Sequence, residues 1–199
     1  MIITVASFKG GVAKTTTAIH LAALLNEDKP TLLIDGDPNR SALGWSNRGS
    51  LPLKIVDERL AARLAGQYSQ GHLVFDTKAR PEKSDLVALA EGCDLLIIPT
   101  TPDAMSLEAL TLMLGMLAEI EVKHFRVLIT KVPPPPRPVG QQVREALAEA
   151  GIPLFDSHVR LYAAFEKAAE QGLLVKEVKD AKAKDCWADY VAVSKEVLR

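Results

Sequence analysis

Cysteine is scarce in this chain: 199 residues hold two, Cys93 and Cys186, far apart and without a C-x-x-C or Cys/His grouping. That spacing excludes a disulfide framework and a metal centre built on thiolates, and both cysteines read as small, partly buried residues of a reducing compartment. Long apolar runs are also lacking. None approaches the ~18 residues that a bilayer span needs, and the N-terminus passes straight into strand-like sequence with no charged leader region, so the expectation is a cytoplasmic protein. Excess positive charge is missing as well: 24 Lys and Arg stand against 25 Asp and Glu, a net charge of −1, which excludes a globally basic nucleic-acid binder. What remains is near-average, 48% hydrophobic and 25% charged, enough for one well-buried core. With no internal repeat and no convincing linker, the expectation is a single domain over residues 1–199.

Strand-length apolar runs recur at Ile2 to Ala6, Thr31 to Ile34, Leu53 to Val56, Leu73 to Phe75, Leu95 to Ile98, Val127 to Ile129 and Pro153 to Phe155. Longer amphipathic stretches separate them; Ile19, Leu21, Ala22, Leu24 and Leu25 share one helical side, as do Leu107, Leu110, Leu114 and Leu117. Continuous hydrophobicity in the strands means burial on both faces, and alternation with helices means a mostly parallel sheet. The pattern predicts a doubly wound α/β fold with helices on both faces, whose ligands sit beyond the carboxyl ends of the strands.

The first strand runs directly into Lys9-Gly10-Gly11-Val12-Ala13-Lys14-Thr15-Thr16, with helix-like sequence immediately behind it. Adjacent glycines let a backbone turn tightly and aim its N–H groups inward, and a following helix N-terminus adds its positive dipole end, so this is a phosphate cradle. Lys14 would reach the β and γ phosphates and the Thr15 hydroxyl would ligate Mg²⁺. The alternative is a glycine-rich turn with incidental lysines. The pattern is K-G-G-x-x-K-[ST], since Phe8 and Ala13 stand where the strict phosphate-loop pattern has its two glycines. A Cβ at residue 13 also restricts positive φ.

With this deviant Walker A box the sequence resembles the ParA/MinD family of dimerising P-loop ATPases. It is most similar to the small ParA class, which includes ParF and the carboxysome-positioning McdA proteins. The resemblance implies a role for Lys9 across a dimer interface, touching the nucleotide of the partner subunit. Ile34-Asp35-Gly36-Asp37-Pro38 resembles the family's D-x-D-P segment. Two carboxylates spaced by two on an extended chain point the same way; by resemblance Asp37 orients the attacking water and Asp35 supports the Mg²⁺ shell. Leu73-Val74-Phe75-Asp76-Thr77 is an apolar strand ending in an acid, as in Walker B, so Asp76 would hold a Mg²⁺ water. The loop behind it, Lys78-Ala79-Arg80-Pro81, is more basic than the prolines common in the family. Ile97-Ile98-Pro99-Thr100-Thr101-Pro102 matches the family's strand and P-x-x-P turn, an architectural element. The proline-rich run Pro133 to Pro138 cannot be helical and reads as a stiff loop, with an SH3-type ligand as the alternative. By resemblance the loop after its strand packs around the adenine, through Lys131, Val132 and Pro133.

The family resemblance implies an ATPase with ATP and Mg²⁺ as cofactors, slow hydrolysis stimulated by a cargo-adaptor protein, and an ATP-dependent homodimer. Its ATP state would bind nonspecific DNA on the nucleoid and position or partition a plasmid, chromosome origin or carboxysome. Candidate DNA contacts are Lys123, Arg126, Arg137 and Arg144, in a stretch from Val122 to Arg144 that has no acid, and Arg160, Lys167, Lys176 and Lys179. Each also reads as an ordinary solvated side chain. Two alternatives share the fold: membrane attachment as in MinD, against which the Trp187 to Arg199 segment reads as a docked helix, and a metabolic or redox enzyme, which two unpaired cysteines do not favour.

Overall fold

A computed structural model describes residues 1–199. Six strands, β1 (Ile2–Ser7), β2 (Thr31–Gly36), β3 (Lys54–Asp57), β4 (His72–Ala79), β5 (Leu95–Thr100) and β6 (Phe125–Ile129), form one sheet in the order β3-β2-β4-β1-β5-β6. Every pairing is parallel. The helices are α1 (Lys14–Leu25), α2 (Ser41–Ser46), α3 (Glu58–Leu64), α4 (Lys83–Glu91), α5 (Ala104–Glu119), α6 (Val139–Glu149), α7 (Ala164–Gln171) and α8 (Ala183–Val197).

Successive strand residues point to opposite faces, so each central strand feeds two cores. Ile3, Val5, Leu33, Val74, Ile97 and Leu128 pack with α1, α7 and α8. Ala6, Leu96, Ile98 and Val127 pack with Leu86 of α4 and with Leu110, Met113 and Leu117 of α5. Chain progression from β1 runs one way across the sheet to β2, and from β4 to β5 and β6 it runs the other. The carboxyl end of β1 therefore lies at the reversal, where doubly wound sheets form their crevice.

Six of the seven expected strands are present. The seventh, Pro153 to Phe155, is reduced to one bridge between Leu154 and Val127. Pro153 has no N–H to donate; the Phe155 N–H reaches the Val127 carbonyl at 3.0 Å, but those of Asp156 and Ser157 are taken by the Glu196 carboxylate at 2.7 and 2.8 Å instead of extending the ladder. Cys93 falls just beyond α4, after Gly92. It packs on the α4/α5 side of the sheet and Cys186 on the α1/α8 side, both buried. Helix α8 docks as the sequence suggests, burying Cys186, Tyr190, Val193 and Val197.

The α1/α8 core contains a fully buried imidazole. His20 stacks on Tyr190, with centroids 5.0 Å apart, and meets Trp45 and Phe165 edge-on. Its Nδ1 lies 2.8 Å from the Thr16 carbonyl and so donates, while Nε2 accepts from the Val175 N–H at 3.1 Å. One neutral tautomer satisfies both contacts; a second ring proton would face the Val175 N–H. Burial accordingly pushes the His20 pKa down from 6.5 to about 4. The contribution of neutral His20 to stability is complete above the unfolded value of 6.5 and is lost as pH falls toward about 4, because the unfolded chain then binds the extra proton. It amounts to about 3 kcal/mol. Urea unfolding at pH 4.5 and 7.5 should show this slope, and His20→Leu, although less stable at neutral pH, should flatten it; an unchanged slope would contradict the buried neutral assignment.

Candidate nucleotide site

At the carboxyl end of β1 the chain turns through Phe8–Ala13 into α1. Gly11 has φ 79° and Gly10 has open space where a Cβ would stand, so the loop's inner surface is bare backbone. The first intrahelical bond is Thr17 N–H to the Ala13 carbonyl, which leaves the N–H groups of the first turn without helical partners and facing the crevice. The cavity measures about 610 Å³ and is lined by Gly10, Gly11, Ala13, Lys14, Thr15 and Thr16 on one side and by Asp37, Asn39, Arg40, Arg48, Ala79 and Lys131 around the rest. Three of these, Ala13 (φ 68°), Arg40 (52°) and Lys131 (51°), are non-glycine residues in the left-handed region, and Arg80 (53°) flanks them. Such a conformation costs roughly 1–2 kcal/mol per residue, so strain is concentrated at this cavity.

The curl is held from outside. Thr130, buried just after β6, donates its hydroxyl to the Val12 carbonyl at 3.0 Å. Arg80 donates its backbone N–H to the Ser7 carbonyl and its Nε to the Phe8 carbonyl, both at 3.2 Å, which gives the basic segment a structural function; Lys78, which the structure places within β4 and not in a loop, pairs with Asp85 at 2.6 Å. Neither Thr130 nor Arg80 stands out among the sequence candidates, although Thr130 adjoins Lys131 and sits at a strand end facing the crevice.

Lys14 is buried, its ammonium curled back to 3.5 Å from the Lys9 carbonyl. Burial lowers its pKa, and the Asp76 and Asp37 carboxylates oppose that shift. Asp76 is fully buried within β4, ahead of Thr77, Lys78 and Ala79, and accepts the Thr15 hydroxyl on Oδ2 at 2.7 Å. Its other oxygen, Oδ1, has no partner. Desolvation raises its pKa to about 7 despite the Thr15 hydrogen bond. A buried carboxylate oxygen without a donor, beside a hydroxyl and a lysine, fits a divalent cation bound together with phosphate.

Asp37 lines the cavity as expected, with Oδ1 accepting the Asn39 N–H at 2.8 Å. Asp35 is placed differently from the Mg²⁺-facing expectation. Its carboxylate turns into its own loop, where Oδ1 accepts from Asp37 N–H at 3.1 Å and Oδ2 from Leu43 N–H at 2.9 Å, so it shapes the segment that carries Asp37 and does not line the cavity. Lys9 is also absent from this cavity. Its ammonium is held on the same chain by Asp103 Oδ1 and Ser106 Oγ, both at 2.9 Å, beside a separate opening lined by Gly10, Gly11, Asp103 and Pro133. The Thr101 hydroxyl, Lys9 and Ser106 hold the Asp103 carboxyl far below the usual carboxylate range.

Lys131 borders both the main cavity and an adjoining apolar cleft of about 140 Å³ walled by Val159, Leu161, Tyr162 and Phe165. Val132 and Pro133 lie just outside that cleft, and the Leu161 N–H donates to the Val132 carbonyl at 2.9 Å. The sequence offered no sign of the 159–165 wall, which joins the site through tertiary contact.

Most of the basic candidates are engaged within the chain. Arg126 donates to the Glu196 carbonyl and lies over the Phe155 ring; Arg144 donates to the Phe155 carbonyl at 2.7 Å; Arg160 forms a two-point ion pair with Asp189, which raises its own pKa. Lys167 pairs with Asp180, and Lys176 pairs with Glu27 over the Trp187 ring. Long cationic side chains near acceptors have settled on them, and Lys123, Arg137 and Lys179 are the three candidates left exposed without an ion-pair partner. No helix is long and apolar enough to cross a membrane.

The model of the CobQ/CobB/MinD/ParA nucleotide-binding domain matches residues 3–175. A maintenance of carboxysome distribution protein A from Gloeobacter kilaueensis is 35% identical over 207 aligned positions, covering 100% of this chain and 94% of that protein. Among solved structures, the ATP complex of a single-residue variant of Cyanothece McdA superposes with TM-score 0.78 at 18% identity, covering 99% of this chain and 95% of that one. A plasmid partition protein from Borrelia burgdorferi bound to AMPPNP superposes with TM-score 0.76 at 20% identity, covering 99% and 98%.

Ala13 carries a Cβ in a conformation that glycine adopts freely, so Ala13→Gly should stabilise the fold. A gain of about 0.5–1 kcal/mol is expected, the relief of left-handed strain being partly offset by the entropy that glycine loses on folding. Thermal unfolding checks it; a lower midpoint would show that the loop, not residue 13, carries the strain.

Proposed function

The chain belongs to the CobQ/CobB/MinD/ParA nucleotide-binding family, and from that membership we propose that it is a ParA-type ATPase that dimerises around ATP, binds nonspecific DNA in that state and positions a cargo. The observation that carries the reading is the bare-backbone loop with Lys14 inside it and the Thr15–Asp76 pair beside it, one oxygen of that pair awaiting a donor. Thr15 and Asp76 would hold Mg²⁺, whose chemistry is to neutralise phosphate charge. Loop N–H groups and Lys14 grip the β and γ phosphates, and Asp37 at the cavity wall orients water toward the γ phosphate. Adenine occupies the apolar cleft between Ala13 and Tyr162, against the loop that begins at Lys131.

Lys9 takes its part in the dimer. Its ammonium exchanges Asp103 and Ser106 for the phosphates held by the partner subunit, so each site is complete only when two copies close. Hydrolysis, slow alone and stimulated by an adaptor protein, reopens them. The Gloeobacter relative's name concerns carboxysome distribution, which favours a carboxysome over a plasmid or chromosome origin as cargo. DNA contact falls to Lys123 and Lys179, doubled by dimerisation, in a cytoplasmic, nucleoid-associated protein. Helix α8 turns its apolar residues to the core, which gives the membrane-attached alternative no support.

Two measurements test this reading. ATP turnover should vanish in Lys14→Ala together with nucleotide binding, whereas Asp37→Ala should still bind ATP and lose on the order of 100-fold or more in turnover; unchanged turnover in Asp37→Ala removes that residue from the chemistry. Size-exclusion with light scattering should show an ATP-dependent dimer for the natural chain and a nucleotide-bound monomer for Lys9→Ala. A Lys9→Ala dimer of normal stability would refute the role across the interface.

A further inference from the structure

Beyond the wall formed by Val132 and Pro133 lies a second cavity, of about 190 Å³, into which the proline-rich loop, the start of α6 and the 158–160 segment converge. Three arginines line it, Arg137, Arg144 and Arg160, together with His158, whose pKa burial lowers, and no carboxylate does. The charge is only partly answered elsewhere. Asp189 neutralises Arg160, but Arg144 donates to the carbonyl oxygens of Phe155 and Asp156, which carry no net charge, and the Arg137 guanidinium has no hydrogen-bond or ion-pair partner at all. Cations left unanswered around a concavity make it attractive to an anion.

The rest of the wall agrees. Prolines 133, 134, 135 and 138 contribute no N–H and form a rigid apolar side. Helix α6 begins with no side-chain cap; its first bond is Gln142 N–H to the Pro138 carbonyl, so the N–H groups of Val139, Gly140 and Gln141 have no backbone partner. Gly140 and Gln141 line the cavity. A Cβ on Gly140 would approach Val132 Cγ1 to 2.4 Å, so glycine is what lets the loop lie against this helix start.

We propose that this cavity is a second anion site, distinct from the nucleotide cavity, that binds a small oxyanion of the phosphate or carboxylate class through Arg137, Arg144 and the N-terminal amides of α6. Its volume corresponds to roughly six water molecules at ~30 Å³ each, the scale of one phosphate or carboxylate group with part of its hydration. It is a recess, not the open positive stripe that a duplex backbone needs, which favours a small ligand over nucleic acid.

The test is independent of the phosphate-loop reading. Inorganic phosphate is titrated calorimetrically into the Lys14→Ala protein, with ionic strength held constant by chloride, so that the main cavity contributes nothing. Saturable 1:1 binding is expected, weakened tenfold or more by adding Arg137→Gln and partly restored by Arg137→Lys. Methyl phosphate and acetate titrations then tell the phosphate class from the carboxylate class. Arg137 is exposed and unpaired, so its replacement should leave folding intact; Arg144→Gln, which also releases Phe155 and Asp156, is the second variant and is read with its thermal melt. Absence of saturable heat with phosphate and acetate alike, or binding indifferent to Arg137→Gln, overturns the site. So does loss of duplex DNA binding in Arg137→Gln with no small-anion binding, which would assign these arginines to nucleic acid.

Discussion

A strained loop held by its neighbours is the condition on which the rest of this molecule depends. Residues 8–13 leave β1 and must present N–H groups, not side chains, to the crevice, which requires positive φ at Gly11 and also at Ala13, where a Cβ resists it. Nothing within the loop supplies the balancing energy. It comes from Thr130 on the Val12 carbonyl, Arg80 on the carbonyls of Ser7 and Phe8, and helix α1, whose buried face anchors the loop's far end. Each is one net hydrogen bond of about 1 kcal/mol or a packed surface, and together they match the strain of a few residues. The parallel sheet makes this possible because β1 has a strand on either side, β4 and β5, whose ends bring Arg80 and, one strand further, Thr130 to the loop.

The same arrangement explains the state of the acids. Asp35 and Asp76 are register partners on adjacent strands, both fully buried. Two carboxylates so placed can persist only if their demands are met differently. Asp35 is satisfied by two backbone N–H groups and so becomes part of the scaffold. Asp76 is left with one hydroxyl and one empty oxygen, and burial, with Asp35 nearby, raises its pKa despite that hydroxyl. The division follows from what lies nearest to each acid: behind β2 the chain folds back at once and offers Asp35 its N–H groups, whereas Asp76, within β4, meets the Thr15 hydroxyl at the start of α1.

This division also marks how far the sequence can be read. The phosphate loop, the acid in β4 and six of the strands are legible because each is contiguous and its meaning lies in local spacing. Asp35 and Asp37 look alike in sequence, two acids two residues apart, and only the path of the following backbone tells the loop former from the cavity liner. Pro153 to Phe155 has strand composition, yet Glu196, far along the chain, competes for the N–H groups that would extend it. The partners of the basic residues are hidden in the same way: Arg160 finds Asp189 and Lys176 finds Glu27 across long separations that no pattern announces. His20 reads simply as a polar residue inside a helix, because its partners on α8 and at Val175 are brought together only by the fold.

Those long-range partners tie the phosphate loop to the far side of the molecule. Helix α1 starts in the cradle with Lys14 and Thr15; its next turn gives Thr17 to the Tyr190 hydroxyl at 3.0 Å, and the turn after gives His20 to the face of the same ring. Tyr190 is wholly buried, so each polar contact must be made or its desolvation cost borne in full, and partial slippage of α1 along α8 would break several at once. A helix fixed by buried directional bonds moves as a unit or not at all. The cradle at its N-terminus is therefore rigid because the helix behind it is locked, and the surface of α8 is mechanically part of the phosphate site although it lies across the core from it.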